Sequence, residues 1–296
     1  MANKSVGVIG LGNIGQGVAG NLGKPGRDVY VWDVAEAARG RFENKSGFIV
    51  APPGEIAKRC EVILFVVPAT PEIKACLDGD NGILAHAHEG LILVDLTTSD
   101  PLATRDLAAE LKPRGIHYID AGASGGKLRA DAGDLTLMVG GDKDAVAKVM
   151  PFLDDIARQV FYLGESGAGH TMKLIHNIIC HANFMAATEA FNLGEHAGLK
   201  LADMVAVLNQ SNGRSYITEE RFPNHILSKK WDGRSHVSNL YKDLAMGVAL
   251  GERLGGGTVF SEATFRYLDK AVRRGMADED FTLIYRDFDA IRAMDD

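Results

Sequence analysis

Short apolar runs alternate with helical patterns through the first half of the chain. Each run is continuously apolar, which is typical of strands covered by helices on both faces. Repeated strand–helix units of this kind favour a doubly wound parallel sheet. The predicted strands are Val6–Ile9, Val29–Trp32, Val62–Val67, Leu91–Val94, His117–Asp120, Leu135–Val139 and Val160–Leu163.

The pattern changes near Gly164, where the strand-like runs stop and helical periodicity continues to the end of the chain. The stretch from Ala168 to about Ala197 has few helix breakers and many apolar residues, so it predicts one long, mostly buried helix. We therefore predict an α/β domain over residues 1–164 and an all-α domain over residues 165–296, joined by that helix. Further helices are predicted at Leu201–Asn209, Tyr241–Leu254, Ser261–Arg274 and Leu283–Met294.

The composition changes this picture little: 46% of the 296 residues are hydrophobic and 24% are charged, as in ordinary globular proteins. The formal net charge is −7 and the basic residues are not clustered, which argues against nucleic acid or an anionic membrane as a partner. The three cysteines form no C-x-x-C pair. The sequence predicts no secretory signal, and no apolar run reaches the roughly 18 residues that a membrane span needs. We therefore expect a cytoplasmic protein without disulfides.

His86 and His88 have no evident third ligand, so we also expect no metal site.

A glycine-rich loop follows the first predicted strand. Gly10-Leu11-Gly12-Asn13-Ile14-Gly15 matches G-x-G-x-x-G and leads into a helical stretch, and Asp33 ends the next strand. Gly10 permits a tight turn, Gly12 allows the backbone to approach a pyrophosphate, and Gly15 lets the helix pack on the strand. Free N–H groups at the helix N-terminus would bind the phosphates. The pattern predicts a Rossmann-type dinucleotide-binding domain, and a glycine turn without a ligand is the alternative.

Asp33 carries a prediction about the cofactor. A carboxylate at this position accepts hydrogen bonds from a ribose 2′-hydroxyl and repels a 2′-phosphate, so NAD is favoured over NADP. The nearby Arg39 could offset that repulsion, although it lies some residues into the next helix. An ordinary helix N-cap is the other interpretation of Asp33, and one residue could serve both purposes.

A polar stripe runs along the predicted long helix. Lys173 and Asn177 are four residues apart and share one face, and His170 and His181 extend it. Because the rest of the helix is largely apolar, this stripe must face partners or a cavity. Desolvation would disfavour the charged form of Lys173 and make it a usable acid–base group. The alternative is a lysine that reaches from a surface helix into solvent.

Four motifs resemble those of the β-hydroxyacid dehydrogenase family, which includes 3-hydroxyisobutyrate dehydrogenase and tartronate semialdehyde reductase. They are the glycine-rich loop, Asp120-Ala-Gly-Ala-Ser124-Gly125-Gly126, Gly167-Ala-Gly169-His-Thr-Met-Lys173-Leu-Ile-His-Asn177, and Lys242-Asp243-Leu244. The resemblance spans nearly the whole chain. It implies an NAD-dependent oxidoreductase that interconverts a small β-hydroxy acid and its semialdehyde, assembled as a homodimer or homotetramer.

The resemblance also implies roles for individual residues. Ser124, Gly125 and Gly126 would hold the substrate carboxylate, and exposed N–H groups in such a glycine-rich turn can also bind an anion by themselves. Lys173 would be the acid–base group and Asn177 would bind substrate. The remaining implied contacts are Lys242 beside nicotinamide and substrate, and Val67, Pro68 and Thr98 in the cofactor site.

The sequence departs from the family pattern at two positions. Arg129 stands where a glycine or alanine is usual, and His176-Asn177 replaces the usual Asn-Asn. Arg129 suggests a substrate with a second acidic group. Two alternatives stay open: an imine or keto reductase of the same fold, which commonly lacks the lysine, and a dinucleotide-binding scaffold without turnover.

Overall fold

The computed structural model describes residues 5–295 and divides them into two compact units. The first unit ends at Lys173 and the second begins at Leu174. This division falls inside the long helix, whereas the sequence pattern changes nearer Gly164. The domain boundary at 164 therefore stays a prediction.

An eight-stranded sheet forms the centre of the first unit, in the order β3-β2-β1-β4-β5-β6-β7-β8. The chain runs outward from β1 through β2 to β3, and then returns to place β4 on the other side of β1. Loops at the carboxyl ends of β1 and β4 therefore diverge, which is where ligands bind in open α/β sheets. The strands are β1 Val6–Ile9, β2 Val29–Trp32, β3 Phe48–Val50, β4 Val62–Phe65, β5 Ile92–Asp95, β6 His117–Ser124, β7 Leu135–Gly140 and β8 Ala157–Gly164.

Helices cover both faces of this sheet, because alternate strand residues enter two different cores. Val8, Val31 and Leu64 belong to one core, while Ile63 and Phe65 belong to the other. The doubly wound α/β architecture is therefore confirmed. The helices are α1 Gly15–Leu22, α2 Glu36–Arg39, α3 Pro53–Arg59, α4 Thr70–Leu77, α5 Pro101–Leu111, α6 Gly126–Ala132 and α7 Lys143–Ile156, with 3₁₀ turns at Ile83–Ala85 and Lys112–Arg114.

The structure corrects the predicted sheet in three places. Strand β3 was not predicted, because a run of three partly exposed residues at the sheet edge carries little signal. Strands β6 and β7 are antiparallel, so the sheet is not parallel throughout. Strand β6 extends to Ser124 rather than ending at Asp120, which leaves only residues 125–134 before β7. A crossover between parallel strands needs a dozen or more residues, so this connection is too short for one.

The long helix α8, Ala168–His196, is confirmed, but its apolar residues are not all buried. Leu174 and Phe184 are buried, whereas Ile175 and Ile179 are 43% and 55% exposed. The second unit continues with α9 Leu201–Asn209, α10 Val237–Leu254, α11 Val259–Ala271, α12 Leu283–Arg286 and α13 Phe288–Arg292, and with π-helical segments at Ile217–Leu227 and Val272–Met276.

Several aromatic rings pack against one another in the core of the second unit. Phe222 makes edge-to-face contacts with Phe191 and Tyr285, at 4.6 and 5.3 Å between ring centroids, and Phe184 packs on Phe281 in the same way at 5.0 Å. Such pairs fix the relative positions of the segments that carry them. Phe222 lies in the π-helical segment Ile217–Leu227, where no helix was predicted.

Candidate active site

The glycine-rich loop has a backbone that only glycine permits at two of its three key positions. Gly10 has a φ of 97°, and a Cβ there would collide with the carbonyl oxygen of Val66. A Cβ on Gly15 would collide with the carbonyl oxygen of Gly10. At Gly12, by contrast, no heavy atom from a non-adjacent residue within residues 5–295 lies within 4 Å of the place where a Cβ would stand. The loop is therefore tightly packed on its inner side and open at Gly12, which fits a pyrophosphate lying against its backbone.

The other residues predicted for the cofactor site lie at the same edge of the sheet. Leu11 is buried in the core, while Asn13 is exposed and Ile14 half-buried. Val67 and Pro68 follow β4, and Thr98 follows β5. Because β1, β4 and β5 are neighbouring parallel strands, their carboxyl ends bring these residues to one edge.

Asp33 holds the glycine-rich loop against the turn after β2. Its Oδ2 accepts the Leu11 N–H at 2.7 Å, and its Oδ1 accepts the Ala35 N–H at 2.8 Å. Arg39 lies closer than its sequence position suggests: its Nη1 donates to the Asp33 carbonyl at 2.7 Å, and its guanidinium lies 4.6 Å from the ring centroid of Trp32. A carboxylate and a guanidinium therefore flank the same turn.

Alternate residues of β6 place three features on one face of that strand. Asp120 accepts the N–H of Gly167 at 2.8 Å and the N–H of His170 at 2.9 Å, so it caps the beginning of α8. Two residues further along β6, a Cβ on Gly122 would lie only 2.6 Å from the Cβ of Lys173. The stem of Lys173 therefore rests directly on Gly122, and the side chain is 8% exposed. Ser124 follows on the same face.

The glycines of the third motif explain this close approach. Gly167 has a φ of 87°, which glycine adopts without strain. A Cβ on Gly169 would collide with the carbonyl oxygen of Met138 on β7. Because both positions lack a side chain, the first turn of α8 presses against the sheet, and Lys173 follows one turn later.

A turn at Gly125 and Gly126 connects β6 to α6, with φ values of 137° and 66°. The turn is shorter than predicted, because Gly122 and Ser124 belong to the strand. Arg129 lies against it: a Cβ on Gly125 would stand 2.8 Å from the Cβ of Arg129. The Nε of Arg129 is 3.9 Å from Asp134 Oδ2, and its side chain is 46% exposed. Its charge is therefore beside the predicted carboxylate-binding turn and open to solvent.

In the second unit, Asn177 is joined to the K-D-L motif. Its Nδ2 donates to Asp243 Oδ2 at 2.6 Å, and its Oδ1 lies 2.9 Å from His176 Nδ1. Asn177 and Asp243 are both buried. The Nζ of Lys242 lies 3.7 Å from Asp243 Oδ1. The amide of Asn177 is therefore oriented from both ends by charged or ring groups.

His181 faces the same carboxylate, with its Nε2 3.9 Å from Asp243 Oδ2. Burial by itself would lower the pKa of His181, but Asp243 and Cys180 outweigh it, so the pKa is raised above the ordinary value of 6.5. The polar stripe predicted on α8 thus has partners at His170, Asn177 and His181.

Known proteins share both halves of this chain. A family model described as the NAD binding domain of 6-phosphogluconate dehydrogenase matches residues 5–164, and one described as NAD-binding of NADP-dependent 3-hydroxyisobutyrate dehydrogenase matches residues 167–288. Among relatives, 2-(hydroxymethyl)glutarate dehydrogenase from Eubacterium barkeri is 31% identical over 83% of this chain and 82% of that protein. L-threonate dehydrogenase from Cupriavidus necator is 34% identical over 82% of each chain. The chain belongs to the β-hydroxyacid dehydrogenase family.

The fold agrees with this membership. The crystal structure of 3-hydroxyisobutyrate dehydrogenase from Salmonella typhimurium superposes with a TM-score of 0.85 and 25% sequence identity, over 96% of this chain and 99% of that one. This β-hydroxyacid dehydrogenase is thus an oxidoreductase by family, with a Rossmann-type domain followed by a helical one.

Sequence reasoning on this β-hydroxyacid dehydrogenase missed the acidic partners of its motif residues. Asp120 and Asp243 both stand inside the quoted motifs, and no role was predicted for either. Asp243 directly follows Lys242, and Asp120 begins the motif that contains Ser124, Gly125 and Gly126, so motif position was the available signal. The structure shows that both are buried acceptors.

Within residues 5–295, no group of three or more histidine, cysteine, aspartate or glutamate side chains is arranged to hold a metal ion. None of the helices in that part of the chain combines the length and apolarity that crossing a bilayer requires.

Proposed function

We propose that this β-hydroxyacid dehydrogenase interconverts a small β-hydroxy acid and its semialdehyde, with NAD as the cofactor and Lys173 as the acid–base group. The observation that carries the proposal is the packing of Lys173 on Gly122, on the same face of β6 as Ser124. A buried lysine near the turn that we propose to bind a carboxylate is suited to a substrate whose carboxylate and hydroxyl are close together.

In this mechanism, the N–H groups and hydroxyl of Ser124, Gly125 and Gly126 hold the substrate carboxylate. Neutral Lys173 accepts the proton of the substrate hydroxyl as the carbonyl forms, and protonated Lys173 returns it in the reverse direction. When bound, the nicotinamide ring would take the hydride from the hydroxyl-bearing carbon, or give it back. Asn177 orients the reacting oxygen through its amide, and Lys242 contributes a positive charge for the substrate or cofactor.

The choice of NAD is supported by the carboxylate of Asp33. Although both of its oxygens accept backbone N–H groups, each retains acceptor capacity for a ribose hydroxyl. A 2′-phosphate would meet this negative charge, and Arg39 of α2, which donates to the Asp33 carbonyl, would partly offset it. The proposal therefore includes a preference for NAD that Arg39 moderates.

The substrate is proposed to carry a second acidic group, since Arg129 lies beside the Gly125 turn. A relative with 31% identity is named for a dicarboxylate, 2-(hydroxymethyl)glutarate. A guanidinium pairs well with a second carboxylate because it offers two parallel N–H donors.

The proposal is tested by measuring the absorbance of the reduced nicotinamide that wild type, Lys173→Ala and Arg129→Ala produce. Each is assayed with NAD and NADP on small 3-hydroxy acids that carry one or two carboxylates. General acid–base catalysis contributes about 10²- to 10⁴-fold, so kcat of Lys173→Ala should fall by that factor. Cofactor affinity, measured by fluorescence titration, should not change.

Arg129→Ala should raise KM for diacids about tenfold more than for monoacids, the equivalent of about 1.4 kcal/mol. An equal loss on both classes would refute the second acidic group. Wild-type kcat in Lys173→Ala would refute the mechanism, and cofactor binding without turnover on any acid would favour the scaffold alternative.

A further inference from the structure

A buried polar cluster lies behind the carboxyl end of β5. We call it the Asp95 cluster; its members are Asp95, Thr97, Ser99, Thr104, Tyr118 and His170, all buried. Asp95 Oδ1 accepts the Thr97 N–H at 2.8 Å and the Thr97 hydroxyl at 2.6 Å. Its Oδ2 accepts the Tyr118 hydroxyl at 2.7 Å. The Ser99 hydroxyl lies 2.5 Å from that of Thr97. Thr97 and Ser99 are therefore fixed on both sides of Thr98.

His170 enters this cluster from the first turn of α8. Its Nδ1 lies 2.7 Å from the hydroxyl of Thr104, and that hydroxyl donates to the Asp100 carbonyl at 3.0 Å. Nδ1 of His170 and the Thr104 hydroxyl therefore form a hydrogen bond, and the imidazole tautomer decides which of them donates. Its Nε2 is turned the other way, 3.7 Å from Asp95 Oδ2, and makes no hydrogen bond within residues 5–295.

One imidazole thus lies against both ends of the segment 95–104. On one side it faces Asp95, which anchors Thr97, and on the other side it bonds to Thr104 in α5. It also stands three residues, or about one helical turn, before Lys173.

We propose that His170 is a positioning residue that holds the cofactor loop around Thr98 in register with the turn of α8 that carries Lys173. This inference rests on the proposed function, because the roles of Thr98 and Lys173 belong to it. His170 touches neither substrate nor cofactor in this scheme, and acts through Asp95 and Thr104.

Three substitutions separate the two sides of the imidazole. His170→Asn places an amide nitrogen near Nδ1, so it retains the Thr104 contact and loses the Asp95 side. In His170→Gln the amide reaches toward the position of Nε2, so the variant retains a polar group facing Asp95 and loses the contact with Thr104. His170→Leu loses both. Thr104→Val removes the partner of Nδ1. Its matched control is Thr188→Val, because Thr188 is also a buried threonine, lies on α8, and has a hydroxyl that makes no hydrogen bond within the described residues.

Two measurements decide the inference. Hydrogen exchange of the cofactor-free protein should become faster for His170→Leu at both 96–104 and 168–173, whereas Thr188→Val should match wild type. In the presence of cofactor, His170→Leu should weaken NADH binding and lower kcat by about tenfold each, and the Asn and Gln variants should each recover part of the loss. Combining His170→Leu with Thr104→Val should add less than the sum of the two effects.

Faster exchange in only one of the two segments, or a change in thermal stability alone, would overturn the inference. So would wild-type cofactor affinity and kcat in His170→Leu. Failure of the proposed function is distinguished by Lys173→Ala: full activity of that variant would refute the acid–base role, while the hydrogen exchange of the cofactor-free protein still decides whether His170 links the two segments.

Discussion

Asp120 in the first unit and Asp243 in the second are both buried carboxylates, yet their oxygens have different partners. Both oxygens of Asp120 accept backbone N–H groups at the start of α8. Asp243 accepts one side-chain amide on Oδ2, and within residues 5–295 its Oδ1 accepts no hydrogen bond, although Lys242 Nζ is 3.7 Å away. Asp120 therefore binds backbone groups, whereas Asp243 binds a side chain.

This difference in hydrogen-bond partners leads us to expect different roles for the two aspartates, one in stability and the other in turnover. A carboxylate satisfied by two backbone donors fixes a helix end and has little freedom to take part in a reaction. A carboxylate with an oxygen that accepts no hydrogen bond, surrounded by an amide, an ammonium and an imidazole, orients side chains that can still reorganise. We therefore expect substitutions at Asp120 to affect folding and substitutions at Asp243 to affect turnover.

The largest effect is expected from Asp120→Ala. The change leaves two buried N–H groups without an acceptor, at about 1–3 kcal/mol each, so the free energy of unfolding should fall by about 3 kcal/mol or more. Urea unfolding followed by circular dichroism measures this. Asp120→Asn, which retains one carbonyl acceptor, should lose less. A loss below about 1 kcal/mol in Asp120→Ala would show that the cap is dispensable.

The next effect is expected on kcat. In Asp243→Ala the Asn177 amide loses the carboxylate that orients it, and misplacement by about 1 Å can cost about 100-fold in rate. We expect kcat to fall about 10- to 100-fold with a smaller change in KM, and Asp243→Asn to retain more activity because its carbonyl can still accept the amide. Steady-state kinetics on the best substrate checks this. Loss of stability comparable to Asp120→Ala, with kcat unchanged, would erase the distinction between the two aspartates.

The sequence alone identified the candidate site residues Lys173 and Asn177, but not the residues that contact them. Lys173 and Asn177 were placed on one helix face by their spacing of four, which is a local property. Their fixed geometry depends on Gly122 and Asp243, which lie 51 and 66 positions away. No periodicity connects residues so far apart in the chain, and the β6 register that brings Gly122 under Lys173 exists only in the folded sheet.

The fold shows the same division between local and tertiary information. Strand β1 and helix α8 were predicted with bounds within a residue or so, because a glycine-rich loop or a long unbroken pattern defines them. Strand β7 was predicted, but its antiparallel direction was not, because the predicted end of β6 at Asp120 left room for a crossover, whereas its actual end at Ser124 does not. The π-helical segment Ile217–Leu227 was not predicted, and it contains Pro223, a residue type that disfavours the interior of a helix.

The smallest expected effect is on how the free energy of unfolding depends on pH, and it should differ between variants of the two aspartates. Since the folded-state pKa of His181 is raised above 6.5 beside Asp243, the pair contributes stability that is fully present below pH 6.5 and is lost as the pH rises through the folded pKa. Unfolding free energies measured from about pH 5 to about pH 9 should therefore decline over that window in wild type.

The decline should persist in Asp120→Asn and flatten in both Asp243→Asn and His181→Gln. A decline that survives in His181→Gln would assign the pH dependence to another group. A slope of the opposite sign would mean that burial, which lowers the pKa of His181, outweighs Asp243. In that case the carboxylate of Asp243 would be held mainly by Asn177 and Lys242, and its comparison with Asp120 would rest on kinetics alone.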